Sequence, residues 1–229
     1  MLIQKWHPVT HDMGLIDASP GGVLRELLAW HSSIGIEHDV REIHSLEDGL
    51  EGLLPLSISH HRRLLVPTRS GWTAYFATGI QGSDPFPVMS ELAKRAKARS
   101  MRVCATPDDA RYPATIWEVY DSDSPGPLST IRTICCANDG GRWVFETSGD
   151  PLPFEQEGSY RAPRKRDRFT REVLDTYLAE WRLRPFDDEF YSPSLATPGY
   201  LLQQATKAHS SPGYTLGEVV AGKPWSRPT

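Results

Sequence analysis

Arg62-Arg63-Leu64-Leu65-Val66-Pro67-Thr68, then Arg69-Ser70-Gly71, then Trp72-Thr73-Ala74-Tyr75-Phe76-Ala77-Thr78: this stretch decides the fold class. Two apolar, β-branched and aromatic runs flank a Ser-Gly turn, the pattern of a β-hairpin. In the second run Trp72, Ala74 and Phe76 share one face, and Thr73 and Tyr75 the other. Pro67 has no N–H to give a ladder, which puts it near the end of the first strand. Working outward, Asp84-Pro85 opens a helix with Val88, Met89, Leu92, Ala93 and Ala96 on its apolar side. Lys94, Arg95, Lys97 and Arg99 in its last turns complement the helix dipole. A strand from Met101 to Thr106 follows. Strand, turn, strand, helix and strand joined by short connections predict an α+β fold, mainly antiparallel, rather than a doubly wound parallel sheet.

The flanks add to the same plan. Ser19-Pro20 predicts a helix start that Gly35 ends, with Leu24, Leu27, Leu28 and Trp30 on its apolar side. Ser45-Leu46-Glu47-Asp48 predicts a second helix, carried by Leu46, Leu50, Leu53 and Leu54 and stopped near Pro55. Ile36–His44 reads as a strand or a loop. Ala114–Tyr120 alternates as a strand. Leu128–Ala137 and Arg142–Thr147 form a hairpin around Asn138-Asp139-Gly140-Gly141, residues that tolerate positive φ. Thr170 caps a helix running to Trp181. That makes about four helices. Residues 1–18 have no clear period, and 148–163 are irregular. The expected division is one α+β domain over 1–191 and an extended Pro/Gly/Ser-rich tail over 192–229. The tail holds a short repeat, Thr197-Pro198-Gly199-Tyr200 and Ser211-Pro212-Gly213-Tyr214, read as two turns that pin it to the surface, or as a partner-binding element.

Composition narrows the classes. A formal charge of −4 over 229 residues argues against non-specific nucleic-acid binding by the chain as a whole. No run approaches the length of a membrane span, and mean hydropathy is −0.43. The start of the chain lacks a signal-peptide pattern, and three cysteines, an odd number, suit a reducing compartment. The expectation is a cytoplasmic protein with no membrane contact and no cofactor.

Candidate chemistry is sparse. Seven of the eight histidines precede residue 62, yet their spacings make no zinc set. Gly217–Lys223 matches most of a phosphate loop, but Pro224 stands where the magnesium-binding hydroxyl belongs. Cys104, Cys135 and Cys136 fall in strands, and Ser70 lacks a nucleophile elbow. Asp108, Asp109 and Glu118 loosely follow the carboxylate spacing of metal-dependent nucleases, with Tyr120 where a lysine is expected. The remaining feature is a basic run, Arg161, Arg164, Lys165, Arg166, Arg168 and Arg171, with Tyr160 and Phe169 interleaved. Its plain reading is a solvated loop ahead of a helix. Its functional reading is a contact for an acidic partner, made by Arg161, Arg164, Lys165, Arg166, Arg168 and Tyr160.

Gly71-Trp72-Thr73-Ala74-Tyr75-Phe76, Arg166-Asp167-Arg168-Phe169-Thr170 and Pro185-Phe186-Asp187-Asp188-Glu189-Phe190-Tyr191 resemble sequence habits of small bacterial α+β proteins of the immunity kind, which neutralise partner toxins. The resemblance implies a cytoplasmic protein that acts by binding another protein rather than by turnover. It carries over no functional residue. Three readings follow: a non-catalytic protein-binding protein of the toxin-antagonist kind; a metal-dependent phosphodiesterase using Asp108, Asp109 and Glu118; and a structural component of a phage or secretion particle.

Overall fold

Among the described residues nine strands pair into one sheet, and every pairing in it is antiparallel. The computed structural model describes residues 2–125, 127–191, 197–205 and 211–225. In chain order the elements are α1 (Leu2–Lys5), β1 (Asp12–Ile16), α2 (Pro20–Ser33), β2 (His38–Ile43), α3 (Leu46–Gly52), β3 (Arg62–Pro67) and β4 (Thr73–Ala77). Then come α4 (Phe86–Ala96), β5 (Ser100–Ala105), β6 (Ala114–Tyr120), β7 (Thr130–Asp139), β8 (Arg142–Ser148), α5 (Arg171–Ala179), β9 (Gly199–Gln204) and α6 (Leu216–Val220). The strand order across the sheet is β2-β9-β3-β4-β1-β5-β6-β7-β8.

The predicted α+β class holds, with both hairpins and the four expected helices in place. Three of these four helices start where a side chain satisfies a free N–H group, and α4 starts behind Pro85 without one. Ser19 Oγ accepts from Gly22 N, Ser45 Oγ from Asp48 N, and Thr170 Oγ1 from Val173 N. Ile36–His44, open between strand and loop, contains the edge strand β2. The α4 helix ends at Ala96, sooner than its sequence period suggests, because Lys97 turns left-handed at φ 49°.

Two departures reshape the sheet. The first is β1, in a region without a period. All five of its residues are buried, so no alternation marks it. It lies between β4 and β5, and Gly14 is there because α4 packs directly on it. A Cβ at Gly14 would sit 2.4 Å from Met89 Sδ. The second corrects the tail. Gly199–Gln204, expected to be an extension, is an inner strand between β2 and β3. The first copy of the repeat leads into this strand. The second makes a bridge between Tyr214 and Leu56. Residues 192–196, 206–210 and 226–229 of that region lie outside the described residues.

Helices cover the sheet unevenly. On one face α2 and α4 bring Val23, Leu27, Met89 and Leu92 against Ile16, Leu65, Tyr75 and Leu202. On the other, α3 and α5 close a larger core around Leu50, Trp117 and Tyr177. Fully burying such a side chain contributes roughly 1.5–3 kcal/mol, so these layers hold the fold. Among the described residues no helix is long and apolar enough to cross a membrane.

Candidate functional site

At the β8 edge the chain leaves the sheet through Gly149, whose φ is 80° and where a Cβ would meet Ile131 O at 2.0 Å. It then crosses the β7–β8 hairpin as an irregular strap before entering α5. The strap is fixed from inside. Glu155 forks onto Arg132, with Nε to Oε1 at 2.9 Å and Nη2 to Oε2 at 2.7 Å. Arg132 Nη1 also donates to Gly149 O at 2.6 Å. The two side chains are 2% and 0% exposed. The remaining acceptor capacity of Glu155 is filled by Leu152 N at 2.9 Å and by the Tyr160 hydroxyl at 2.7 Å. Tyr160 in turn meets the Tyr177 hydroxyl of α5 at 3.0 Å. Burial alone lowers the Arg132 pKa; the Glu155 carboxylate and Tyr160 together hold it above the ordinary guanidinium value. A buried pair is tolerated when its hydrogen bonds are complete, and here they are.

The outer face of the strap is different. Arg161, Arg164, Lys165 and Arg166 are exposed. Arg166 approaches Asp167 at 3.6 Å, and the other three make no ion pair among the described residues. Their backbone is held by the packing beneath. Cys136 Sγ donates to Lys165 O at 3.2 Å. Arg168 Nε donates to Ala162 O at 2.8 Å, and its guanidinium lies over the Phe145 ring at 5.6 Å. Of the six residues expected to touch a partner, four face outward. Tyr160 and Arg168 turn inward and hold the strap instead.

The carboxylates of the nuclease-like reading go to different places. Asp108 and Asp109 are exposed in the loop after β5. Glu118, on β6, accepts from the Tyr120 hydroxyl at 2.8 Å and faces Arg102 at 3.7 Å. Arg102 is also clamped by Asp12, at 2.9 and 2.8 Å, and lies 3.7 Å from Asp84. Burial pushes the carboxyls of Asp12 and Glu118 up, with Arg102 pulling the other way. Among the described residues no three His, Cys, Asp or Glu side chains form a group that could hold a metal.

The other candidates have structural occupations. Burial raises all three thiols, Cys136 to about 11, which suppresses thiolate. The Ser70 hydroxyl shares a hydrogen bond with Thr68 Oγ1 at 2.8 Å. Lys223 of the phosphate-loop look-alike bonds Glu218, inside a segment whose helix precedes the lysine instead of following it. His7 and His11 stack with ring centroids 4.7 Å apart, and burial takes His11 down to about 4.

Two groupings had no signal in the sequence. One is the Asp12–Arg102 clamp, which β1 creates by lying beside β5. The other joins His31 of α2 to His38 of β2, with Nδ1 and Nε2 at 2.7 Å. Burial and then the nearby Arg63 lower His31 to about 3 and His38 to about 4. The pairing of β2 with β9, which pairs in turn with β3, brings these side chains together beneath α2.

No protein-family model, curated protein or solved structure matches this chain.

Proposed function

We propose that this protein works by binding, without catalysis, and that the strap is its recognition surface for the acidic face of a protein partner. One observation carries the reading: four outward cations stand on a backbone locked from beneath by Arg132, Glu155, Tyr160 and Tyr177. Cations on a flexible loop lose conformational entropy when they dock, and a pre-ordered loop avoids much of that cost. Arginine contributes strongly at such contacts because its planar fork meets carboxylates two bonds at a time. A toxin antagonist is the kind of protein that fits, since it must cover an acidic cleft quickly and a charged patch accelerates encounter.

The test is affinity capture from the source cell. The wild-type chain is compared with an Arg161→Glu, Arg164→Glu, Lys165→Glu, Arg166→Glu variant. The expected result is one specific protein, retained by the wild type, released by rising salt and lost in the variant. Recovery of the same protein by the variant would sink the proposal. So would capture of nucleic acid alone, which would make the strap a polyanion site.

A further inference from the structure

A second group of arginines converges far from the strap. A cleft of about 440 Å³ opens between the turn joining β3 to β4 and the segment after α5. Arg69 and Ser70 line it from the turn, and Arg182, Arg184, Asp187 and Glu189 from the segment. The two walls are tied together. Arg69 N donates to Phe190 O at 3.0 Å, and Thr68 bridges to Tyr191. The cleft is therefore built on the sheet rather than hung between free loops.

Five charged side chains share this space, and none makes an ion pair among the described residues. Some neighbouring surface charges do pair, as in Arg95 with Glu91 and Arg171 with Asp175. Three arginines and two carboxylates lining one cleft without pairing leave it a net positive charge, which favours an anionic ligand.

The backbone adds a second, independent observation. The α5 helix closes with Arg182 N on Ala179 O at 2.9 Å and Leu183 N on Leu178 O at 3.0 Å. That pattern places Arg182 at the left-handed cap position, with φ 58°. Glycine fills this position most easily, because a Cβ is disfavoured there. Lys97 takes the same left-handed conformation at the end of α4, but Arg182 alone of the two lines the cleft.

The geometry points to a binding site for a small phosphate monoester that also carries an ammonium group. Arg69, Arg182 and Arg184 hold the phosphate dianion, with the Ser70 hydroxyl beside them. Asp187 and Glu189 face the ammonium. Three cations and two carboxylates leave one net positive charge, which matches the single net negative charge of such a ligand. The volume falls within the roughly 300–1,000 Å³ of small-molecule sites. This site stands independently of the strap and its partner.

The probe is O-phosphoethanolamine, titrated calorimetrically into the full chain beside inorganic phosphate. The expected result is saturable binding with a Kd below about 1 mM, weaker for inorganic phosphate by roughly tenfold. Arg182→Gly should keep or raise Tm, since glycine relieves the cap, while weakening the probe by roughly tenfold or more. Arg69→Ala, at an exposed turn, gives the same loss and serves if Arg182→Gly unfolds the helix end. Arg164→Glu on the strap should leave probe binding unchanged. The proposal is overturned by an absence of saturable binding, by equal affinity for the two probes, by full binding in Arg69→Ala, or by loss of binding in Arg164→Glu.

Discussion

Arg132 and Arg102 are both withdrawn from water, on opposite faces of the sheet, and they are balanced in different ways. Arg132 on β7 has one carboxylate, two backbone carbonyls and almost no exposure. Arg102 on β5 has three carboxylates around it, Asp12 in a two-bond clamp and Asp84 and Glu118 each at 3.7 Å. The first arrangement is closed: one cation, one anion, hydrogen bonds complete. It works as a rivet that fixes the strap. The second holds surplus negative charge at the margin of the α2–α4 layer, and burial raises two of its carboxyls. A closed pair confers rigidity. An over-supplied one is more tolerant of losing a member and responds to pH.

The comparison can be broken most severely at Glu155. Glu155→Gln leaves Arg132 as a buried charge without a counterion, and should cost about 3–5 kcal/mol in denaturant unfolding. Hydrogen exchange over residues 150–168 should speed up in the same variant. A loss below about 1 kcal/mol would show that the rivet is not closed. Asp12→Asn should cost less, about 1–3 kcal/mol, because Glu118 and Asp84 remain beside Arg102. If Asp12→Asn proves as costly as Glu155→Gln, the two sites are not different in kind.

The smallest effect separates them by pH. A carboxyl whose folded pKa is raised keeps its proton in the fold after the unfolded chain has released it. Wild-type stability from Glu118 therefore falls as pH rises above the unfolded value of about 4.3 through the higher folded value. Glu118→Gln has no such proton. Its stability relative to wild type, followed by urea unfolding, should improve as pH rises from about 4 through the folded value and then level off. Histidine contributions run the opposite way, weakening the fold as pH falls below about 6.5, but they cancel in this difference. A flat difference would mean that Glu118 is well solvated.

Much of the architecture was legible in local chemistry. Ser19, Ser45 and Thr170 announced three helices through their caps. Gly71 and the Asn138–Gly141 turn announced two hairpins. The two strands that were missed share a cause. Asp12–Ile16 and Gly199–Gln204 pair with segments distant in the chain, Gly14 with Tyr75 and Leu201 with Leu64. Each is short, and β1 is buried on both sides, so neither shows alternation. The basic run of the strap was visible as a run. What stiffens it was not, because Arg132 and Glu155 lie on different segments, and a Glu in a Pro-containing loop reads as solvated.

The sequence by itself determined where four helices start, the turns, the antiparallel class and the presence of a cationic stretch, all set by interactions between residues a few positions apart. Tertiary structure alone decided that β1 and β9 enter the interior of the sheet, that Glu155 is dry, and that Arg69, Arg182 and Arg184 share one cleft. Strand pairing and charge pairing act over a few ångströms in space whatever the separation along the chain, so their partners are fixed only when the fold closes.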